Sequence, residues 1–278
     1  MTPNQGELVP DHSEKCRVFR QLHESGCFII PNPWDRGSAR ALENLGFKAL
    51  ATTSSGMAWS LGTTDNHVPL DEALECIADI VAAVDVPVNA DFEGGFAVEA
   101  DGVYANVRRC IETGVAGLSI EDSTGDENDP LFEFALSLER IKAARRAIDD
   151  SGTAVLLTGR SEGFIAGRPD LAATIERLVA YADAGADCLY APGLRAESDI
   201  AAVVNAVAPK PVNVLVWGSF TTVAAMERIG VRRISVGGAL ARSAWTGFLS
   251  AAEEIARAGT FEGVAKSITT ADLQKRFV

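Results

Sequence analysis

Residues 86–120, VPVNADFEGGFAVEADGVYANVRRCIETGVAGLSI, decide the fold because they contain a complete strand–helix–strand unit. The short β-rich runs Val86–Ala90 and Gly117–Ile120 each predict a strand. Between them, apolar residues recur at helical spacing over Tyr104–Thr113. Gly114 follows this helix, where a left-handed cap residue is common. The segment therefore predicts two parallel strands joined by a crossover helix.

The same unit recurs along all 278 residues. The eight predicted strands are Phe28–Pro31, Ala49–Thr53, Val86–Ala90, Gly117–Ile120, Ala154–Thr158, Cys188–Ala191, Val212–Leu215 and Arg233–Val236. Further predicted helices are Asp71–Val84, Leu131–Ile148, Leu171–Ala184, Ser198–Val207 and 239–257. Eight units in a chain of this length predict a (β/α)8 barrel of the TIM type. An open doubly wound sheet uses the same units, but no GxGxxG follows the first strand.

The regions outside the barrel core are also predicted to be helical. A helix over 13–24 precedes the first strand, and a short helical pattern occupies the tail from Ser267 to Val278. We expect one domain over 1–278, with a core of about 25–257 and a tail of 258–278 that contacts the barrel or a neighbouring subunit.

Composition excludes several classes of protein. The net charge is −13, which disfavours a nucleic-acid surface. No stretch is long and apolar enough to span a membrane, and residues 1–11 carry no basic-then-apolar signal. The five cysteines are scattered and odd in number, as expected of reduced thiols. We therefore expect a cytoplasmic protein with a small-molecule partner.

Acidic residues follow two neighbouring predicted strands. Asp91 and Glu121 are thirty residues apart, about one strand–helix unit, so they occupy equivalent positions, with Glu93 close by. Neighbouring strands lie about 4.8 Å apart, so these carboxylates are expected to converge. Converging carboxylates repel one another unless a cation neutralises them. With oxygen ligands only, the sequence predicts Mg²⁺ bound by Asp91, Glu93 and Glu121, with Mn²⁺ as the alternative.

Other strand ends carry polar residues with two possible roles each. Arg160 follows an apolar strand and suits either a substrate carboxylate or an ion pair with one of the acids. Ser54-Ser55-Gly56 suits either a backbone anion site or a plain turn. Asp65 taken alone is more typical of a solvated loop or a helix cap than of a site, whereas Asp122 suits a structural contact and a functional role equally.

These segments together resemble the isocitrate lyase and phosphoenolpyruvate mutase superfamily. The matching residues are Asn32-Pro33-Trp34-Asp35, Thr53-Ser54-Ser55-Gly56, Asp91-x-Glu93-x-Gly95-Phe96, Ile120-Glu121-Asp122, Gly159-Arg160-x-Glu162 and Ala182-x-Ala184-Gly185-Ala186-Asp187. The resemblance covers about residues 25–240. It implies a TIM-like barrel, Mg²⁺ and a small 2-oxo or 2-hydroxy carboxylate substrate. It also implies a homotetramer, a dimer of dimers with exchanged C-terminal helices.

The resemblance assigns roles residue by residue. Asp91 is implied as the metal ligand, with Glu93 and Glu121 acting directly or through metal-bound waters, and Asp65 in the same acidic shell. The implied substrate contacts are Ser55, Gly56, Met57, Arg160 and Asn213. Of these residues, Arg160, Asp65 and Glu121 are expected to take part in catalysis.

The loop after Asp122 departs from the known branches of the superfamily. It reads Ser123-Thr124-Gly125-Asp126-Glu127-Asn128-Asp129-Pro130. The lyase loop, whose cysteine serves as general acid, is absent. The lysine and the Asn-Ser loop of the mutases are absent as well. Tyr190-Ala191 stands where the mutases have a histidine. We expect a carbon–carbon lyase that acts through an enolate. A carbon–phosphorus enzyme and a non-catalytic metabolite-binding barrel remain alternatives.

Overall fold

The computed structural model describes residues 11–277, which form eight parallel strands surrounded by helices. The strands are β1 Phe28–Ile30, β2 Leu50–Ala51, β3 Val88–Asp91, β4 Gly117–Glu121, β5 Leu156–Arg160, β6 Cys188–Tyr190, β7 Val212–Leu215 and β8 Arg233–Ser235. The helices are α1 His12–Leu22, α2 Arg36–Asn44, α3 Ser54–Ser60, α4 Leu70–Ala83, α5 Ala100–Glu112, α6 Phe134–Ser151, α7 Leu171–Asp183, α8 Glu197–Val207, α9 Val223–Arg228, α10 Ala239–Ala258, α11 Glu262–Ala265 and α12 Thr270–Gln274.

The strands follow one another around a nearly closed barrel in the order β1-β8-β7-β6-β5-β4-β3-β2. Across the remaining seam between β1 and β2, the N–H of Ala51 donates to the carbonyl of Pro31 at 3.1 Å. The side chain of Asn32 supports the same seam, since it donates to the carbonyl of Thr52 and accepts from the N–H groups of Val236 and Gly237. The predicted (β/α)8 barrel is confirmed.

All eight predicted strands are present, but some predicted boundaries are wrong. The fifth strand is shifted by two residues, so that Arg160 belongs to β5 itself. Helix α6 begins at Phe134 rather than Leu131. Leu131 instead forms a bridge with Ser123, and the N–H of Phe132 donates to the carbonyl of Asp122. The loop that departs from the superfamily is therefore closed by its own backbone pairing.

The glycine joint predicted after the helix that precedes β4 is confirmed. Gly114 has a φ of 85° at the end of α5, a conformation that glycine adopts without steric cost. The corresponding joints also have positive φ: Gly46, Gly185 and Gly230. These turns let each helix end abruptly and return the chain to the next strand.

Helix α1 covers the end of the barrel where the strands begin. Its Phe19 is fully buried, and His23, one residue after the helix, is also buried. A Cβ atom on Gly117, the first residue of β4, would lie only 2.6 Å from the ring of Phe19. The predicted helix over 13–24 thus has a structural role as a plug of the barrel base.

The C-terminal helices lie outside the core. Helix α10 has 20 residues, and Ala241 is its one buried residue. The helical pattern predicted for the tail is partly borne out by α12. Shortly after α12, the carbonyl of Arg276 accepts a hydrogen bond from Nδ2 of Asn44 at 2.6 Å. Val278, the last residue of the predicted tail, lies outside the described residues. Among the residues that the structure describes, no helix is long and apolar enough to cross a membrane.

Candidate active site

A cavity of about 530 Å³ opens at the carboxyl ends of the barrel strands. Six of the predicted site residues line it: Ser55, Asp65, Asp91, Glu121, Arg160 and Asn213. This is the end at which TIM barrels place their active sites, because the loops that follow the strands converge there.

Arg160 is the centre of the acidic cluster in this cavity. Its Nη1 lies 3.1 Å from Oδ1 of Asp91 and 3.1 Å from Oε2 of Glu121. Its Nε and Nη2 both donate to Glu162, the latter at 3.1 Å. Three carboxylates on different strand ends therefore share one guanidinium, and their charges together raise the pKa of Arg160 further above its already high value.

Two roles were considered for Arg160, a contact with a substrate carboxylate and an ion pair with the acids. This arrangement favours the ion pair. The bidentate fork of the guanidinium closes on Glu162, and Nη1 is directed to the other two carboxylates. Three of its five N–H groups donate hydrogen bonds to Asp91 and Glu162, and Nη1 also forms an ion pair with Glu121. A fork onto a substrate carboxylate, as the sequence suggested, would require Glu162 to be displaced.

Asp91 is held in place from both sides by the second strand and the loop after it. The N–H of Asp91 donates to Oγ1 of Thr52 at 2.9 Å. Its Oδ2 accepts from the N–H of Ser54 at 3.0 Å, and its Oδ1 faces Arg160. The first N–H of α3 is thus already used, so the proposed anion nest at Ser54-Ser55-Gly56 loses one of its donors.

Gly56 and Met57 lie behind the cavity wall rather than in it. Met57 is 2% exposed, and its N–H donates to the carbonyl of Thr53 within α3. A Cβ atom on Gly56 would lie 2.9 Å from that of Trp34, which explains why a glycine is needed there. Their predicted contact with the substrate stays a prediction, and the structure gives both residues a packing role.

Glu93 is adjacent to the cluster but does not line the cavity. It lies in a tight turn with a φ of 47°, which is uncommon for a residue other than glycine. Its carbonyl accepts from the N–H of Glu121 at 3.0 Å. Burial, followed by the charges of Asp91 and Asp65, raises the pKa of Glu93 to about 8.

The turn that carries Glu93 is fixed by a residue that the sequence analysis missed. Arg140 on α6 is 1% exposed and donates to the carbonyls of Gly94, Ala97 and Val98. Its guanidinium also lies 4.0 Å from the ring centre of Phe132. The sequence offered one signal for this role. Arg140 is an arginine within a predicted helix, and the apolar pattern alone assigns it to the surface.

Asp122 has structural partners. Its Oδ1 accepts from the N–H of Glu162 at 2.7 Å, and its Oδ2 accepts from Arg177 and from the hydroxyl of Tyr181. Asp122 therefore positions Glu162, which in turn holds Arg160. This geometry favours the structural alternative for Asp122.

Burial also acts strongly on the other acids of the cavity. It raises the pKa of Glu121 well above its ordinary range, while the charge of Arg160 opposes this shift. Burial and the charge of Asp91 raise the pKa of Asp65. The cluster therefore holds more acidic groups than Arg160 can neutralise.

Asn213 lines the cavity as predicted, but both ends of its amide are already engaged. Its Oδ1 accepts from Nε of Arg233 at 2.9 Å, and its Nδ2 donates to Oγ of Ser235 at 2.9 Å. Arg233 and Ser235 also line the cavity and were not predicted. The signal in the sequence was the alternation along β8, which places Arg233 and Ser235 on one face and the apolar Ile234 on the other.

Comparison with known proteins adds the family to this geometry. The sequence profile of the phosphoenolpyruvate phosphomutase family matches residues 19–256. The chain belongs to this family. The resemblance to the isocitrate lyase and phosphoenolpyruvate mutase superfamily is thereby confirmed.

Three solved or curated proteins are similar to this chain over most of its length. A candidate lyase/mutase from Burkholderia cenocepacia is 46% identical, with a TM-score of 0.91 over 96% of both chains. An uncharacterized protein of Mycobacterium tuberculosis is 33% identical over 94% of this chain and 96% of its own length. An oxaloacetate decarboxylase of Paraburkholderia xenovorans is 29% identical over 72% of this chain and 68% of its own. The family thus comprises lyases and mutases.

Proposed function

We propose that the protein is a Mg²⁺-dependent carbon–carbon lyase that acts on a small 2-oxo or 2-hydroxy carboxylate or dicarboxylate through an enolate. The observation that carries this proposal is the group of carboxylates around Arg160 in a cavity of small-molecule size. The similarity to an oxaloacetate decarboxylase supports carbon–carbon chemistry.

The donor set fits a hard divalent cation. Asp65, Asp91, Glu93, Glu121 and Glu162 supply only oxygen atoms, and Arg160 is the one cation in contact with them among residues 11–277. Burial raises the pKa of both Glu93 and Glu121, and the neighbouring carboxylates add to the shift. Among residues 11–277, no group of three or more His, Cys, Asp or Glu side chains has a geometry that could hold a metal ion. The arrangement therefore favours Asp91 as a direct ligand, with the other carboxylates holding metal-bound waters.

The chain's own residues would orient the substrate and its charge. A bound divalent cation would supply Lewis-acid stabilisation of the negative charge that develops on the 2-oxo group. In a decarboxylation, the bond to the departing carboxylate breaks, its electrons pass to the 2-oxo group and CO₂ leaves. The enolate then takes a proton. Of the three acids in the loop over 123–130, Asp126 and Glu127 line the cavity and are the candidates to donate this proton.

Carbon–phosphorus chemistry is the second candidate, because the matching family profile is that of a phosphomutase. The loop over 123–130 argues against it, since it lacks the lysine and the Asn-Ser residues that the mutase resemblance requires. Phosphonopyruvate turnover would favour this candidate over the lyase.

A substrate panel tests the function. Purified protein with Mg²⁺ is incubated with oxaloacetate, 2-methylisocitrate, 2,3-dimethylmalate and phosphonopyruvate, and products are followed by NMR. From oxaloacetate, pyruvate indicates decarboxylation, whereas oxalate and acetate indicate hydrolysis. We expect carbon–carbon cleavage of one substrate and its loss in excess EDTA. Full activity in EDTA would contradict the metal assignment, and ligand-induced thermal stabilisation without turnover would favour the non-catalytic barrel.

We further propose that the protein is a cytoplasmic homotetramer. The exposed apolar residues of the C-terminal helices support this, because they are too numerous for a helix that faces only water. They include Phe248, Leu249, Phe261, Val264 and Ile268.

A further inference from the structure

Arg233 lies deep in the cavity that contains the acidic cluster. It is the first residue of β8, whereas Ser235 and Gly237 on the same strand and its following loop lie nearer the mouth. Only 3% of Arg233 is exposed. Because a guanidinium stays protonated in proteins, a positive charge is held at the inner end of the cavity.

The contacts of Arg233 are all with neutral groups. Its Nε donates to Oδ1 of Asn213 at 2.9 Å, and its Nη2 donates to Oγ1 of Thr158 at 3.0 Å. Its Nη1 lies 3.4 Å from Nε2 of His23. Within residues 11–277, no carboxylate pairs with Arg233, whereas Arg160 pairs with three.

His23 can accept a hydrogen bond from Arg233 because its imidazole is uncharged. Its Nδ1 lies 2.8 Å from the carbonyl of Phe19 and must donate to it, so its Nε2 is an acceptor for Arg233. Burial and the charge of Arg233 lower the pKa of His23 to about 3. His23, Asn213 and Thr158 therefore fix the guanidinium without neutralising it.

A buried charge without a counter-charge is costly, so such groups are normally paired with an ion. The three contacts use three of the five N–H groups of Arg233 and leave one on each terminal nitrogen. Two such N–H groups suit the two oxygens of a carboxylate. We propose that Arg233 forms a second anion subsite, which binds a carboxylate of the substrate at the inner end of the cavity.

The subsite narrows the class of substrate, a step that rests on the function proposed above. The register Arg160–Tyr190–Asn213–Arg233 places the two arginines three strands apart. At about 4.8 Å per strand, they are separated by about 14 Å along the barrel wall and by less across it. A substrate that reached from the divalent cation proposed at the acidic cluster to Arg233 would present one carboxylate to each of these two positive charges. We therefore expect dicarboxylates to bind better than monocarboxylates of equal chain length.

Isothermal titration with two non-reacting probes tests the subsite. Succinate and butyrate, which have the same carbon chain but two and one carboxylates, are titrated into the full chain with Mg²⁺. We expect Arg233→Met to weaken succinate binding at least about tenfold, since a buried ion pair would be lost. Butyrate should bind the wild type more weakly, and its affinity should change less in the variant.

Two further variants make the result decisive. Arg232→Met is the matched control, because Arg232 directly precedes β8 and does not line the cavity, with Nη1 3.4 Å from the carbonyl of Gly26. It should bind succinate like the wild type. Arg233→Lys keeps the charge without the fork and should give intermediate affinity, which decides the matter if the methionine variant does not fold.

The subsite is refuted if succinate does not bind the wild type, or if it binds both Arg233 variants within about twofold of the wild type. An equal loss of succinate affinity in Arg232→Met and Arg233→Met would show a general structural effect and would also refute it. The titration needs no turnover, so it can fail while the substrate panel succeeds, and the reverse.

Discussion

Arg160 and Arg233 line the same cavity but have opposite electrostatic surroundings. Arg160 is surrounded by Asp91, Glu121 and Glu162, and Arg233 by neutral acceptors. A guanidinium that is already neutralised organises carboxylates, whereas one without a counter-charge attracts an anion. Two residues of the same type can therefore be expected to serve different ends of one substrate.

Replacement of Asp91 tests the metal site at this scale. Asp91→Asn keeps an acceptor for the N–H of Ser54 but removes the charge, so we expect Mn²⁺ affinity to fall by about 100-fold or more and turnover to be lost. Electron paramagnetic resonance of free Mn²⁺ measures the affinity. Glu43→Gln is the control, because Glu43 lies outside the cavity and accepts from the N–H groups of Asp85 and Val86, so we expect lower stability with unchanged Mn²⁺ binding. Equal affinities for wild type and Asp91→Asn would contradict the assignment.

Arg160→Lys separates the two roles considered for this arginine. Lysine keeps the charge but leaves part of Glu162 without a donor, so we expect a loss of about 2 kcal/mol in the free energy of unfolding. We also expect kcat/KM to fall at least tenfold, because the carboxylates lose their common partner. Urea unfolding and steady-state kinetics measure the two effects. Unchanged stability with a raised KM alone would instead mean that the fork contacts the substrate.

The buried His23 predicts a pH dependence of stability. Its pKa in the folded protein is lowered to about 3, so between pH 6.5 and pH 3 the unfolded chain binds a proton that the folded chain does not. Its contribution therefore falls as the pH falls, by about 2 kcal/mol between pH 6.5 and pH 5. His23→Gln should reduce the loss of stability on going from pH 7.5 to pH 5, measured by urea unfolding at both values. The same loss in both proteins would show that His23 is not responsible.

At the scale of elements, helix α1 and strand β4 depend on a close contact at the barrel base. Gly117→Ala places a methyl group 2.6 Å from Cε1 of Phe19 and 2.8 Å from Oδ1 of Asn89. We expect a destabilisation of about 1–3 kcal/mol from overpacking, measured by urea unfolding. Gly218→Ala, where no atom lies within 4 Å of the new methyl group, should be nearly neutral. A neutral Gly117→Ala would mean that α1 moves without cost.

The loop over 123–131 differs in sequence from the lyases and mutases of the superfamily. Both of its ends are nevertheless held in place. The bridge between Ser123 and Leu131 closes it, and Asp122 anchors its start through Arg177 and Tyr181. Asp126 and Glu127 reach the mouth of the cavity from this frame. The structure thus places this departure from the known branches in a short, mostly exposed segment with fixed ends.

At the scale of the whole molecule, the C-terminal helices predict self-association. Phe248 is 60% exposed on α10 and Phe261 is 63% exposed before α11. We expect Phe248→Asp to shift the protein from a tetramer to a smaller species in size-exclusion chromatography with light scattering, because a charge would be buried in the contact. Val98→Asp, at an apolar residue 55% exposed on another face, is the control. A monomeric wild type would contradict the proposed assembly.

The sequence by itself determined the barrel and the neighbourhood of the acids. Strand–helix periodicity and the glycine at each joint, such as Gly114, are local signals, so the eight units were predictable. Asp91 and Glu121 were placed together because equivalent positions on parallel strands converge. The helix start at Leu131 was wrong because Ser123, eight residues away, pairs with it.

Only the tertiary structure decided what each polar residue contacts. Arg140, Arg233 and His23 act on residues far along the chain, and no local pattern shows whether a guanidinium meets a carboxylate or a neutral acceptor. Arg160 was expected to hold a substrate, yet its fork is closed by Glu162. The physical reason is that hydrophobic periodicity is set by burial over a few residues. The charge balance of a cavity, in contrast, is set by side chains that converge from eight separate strands.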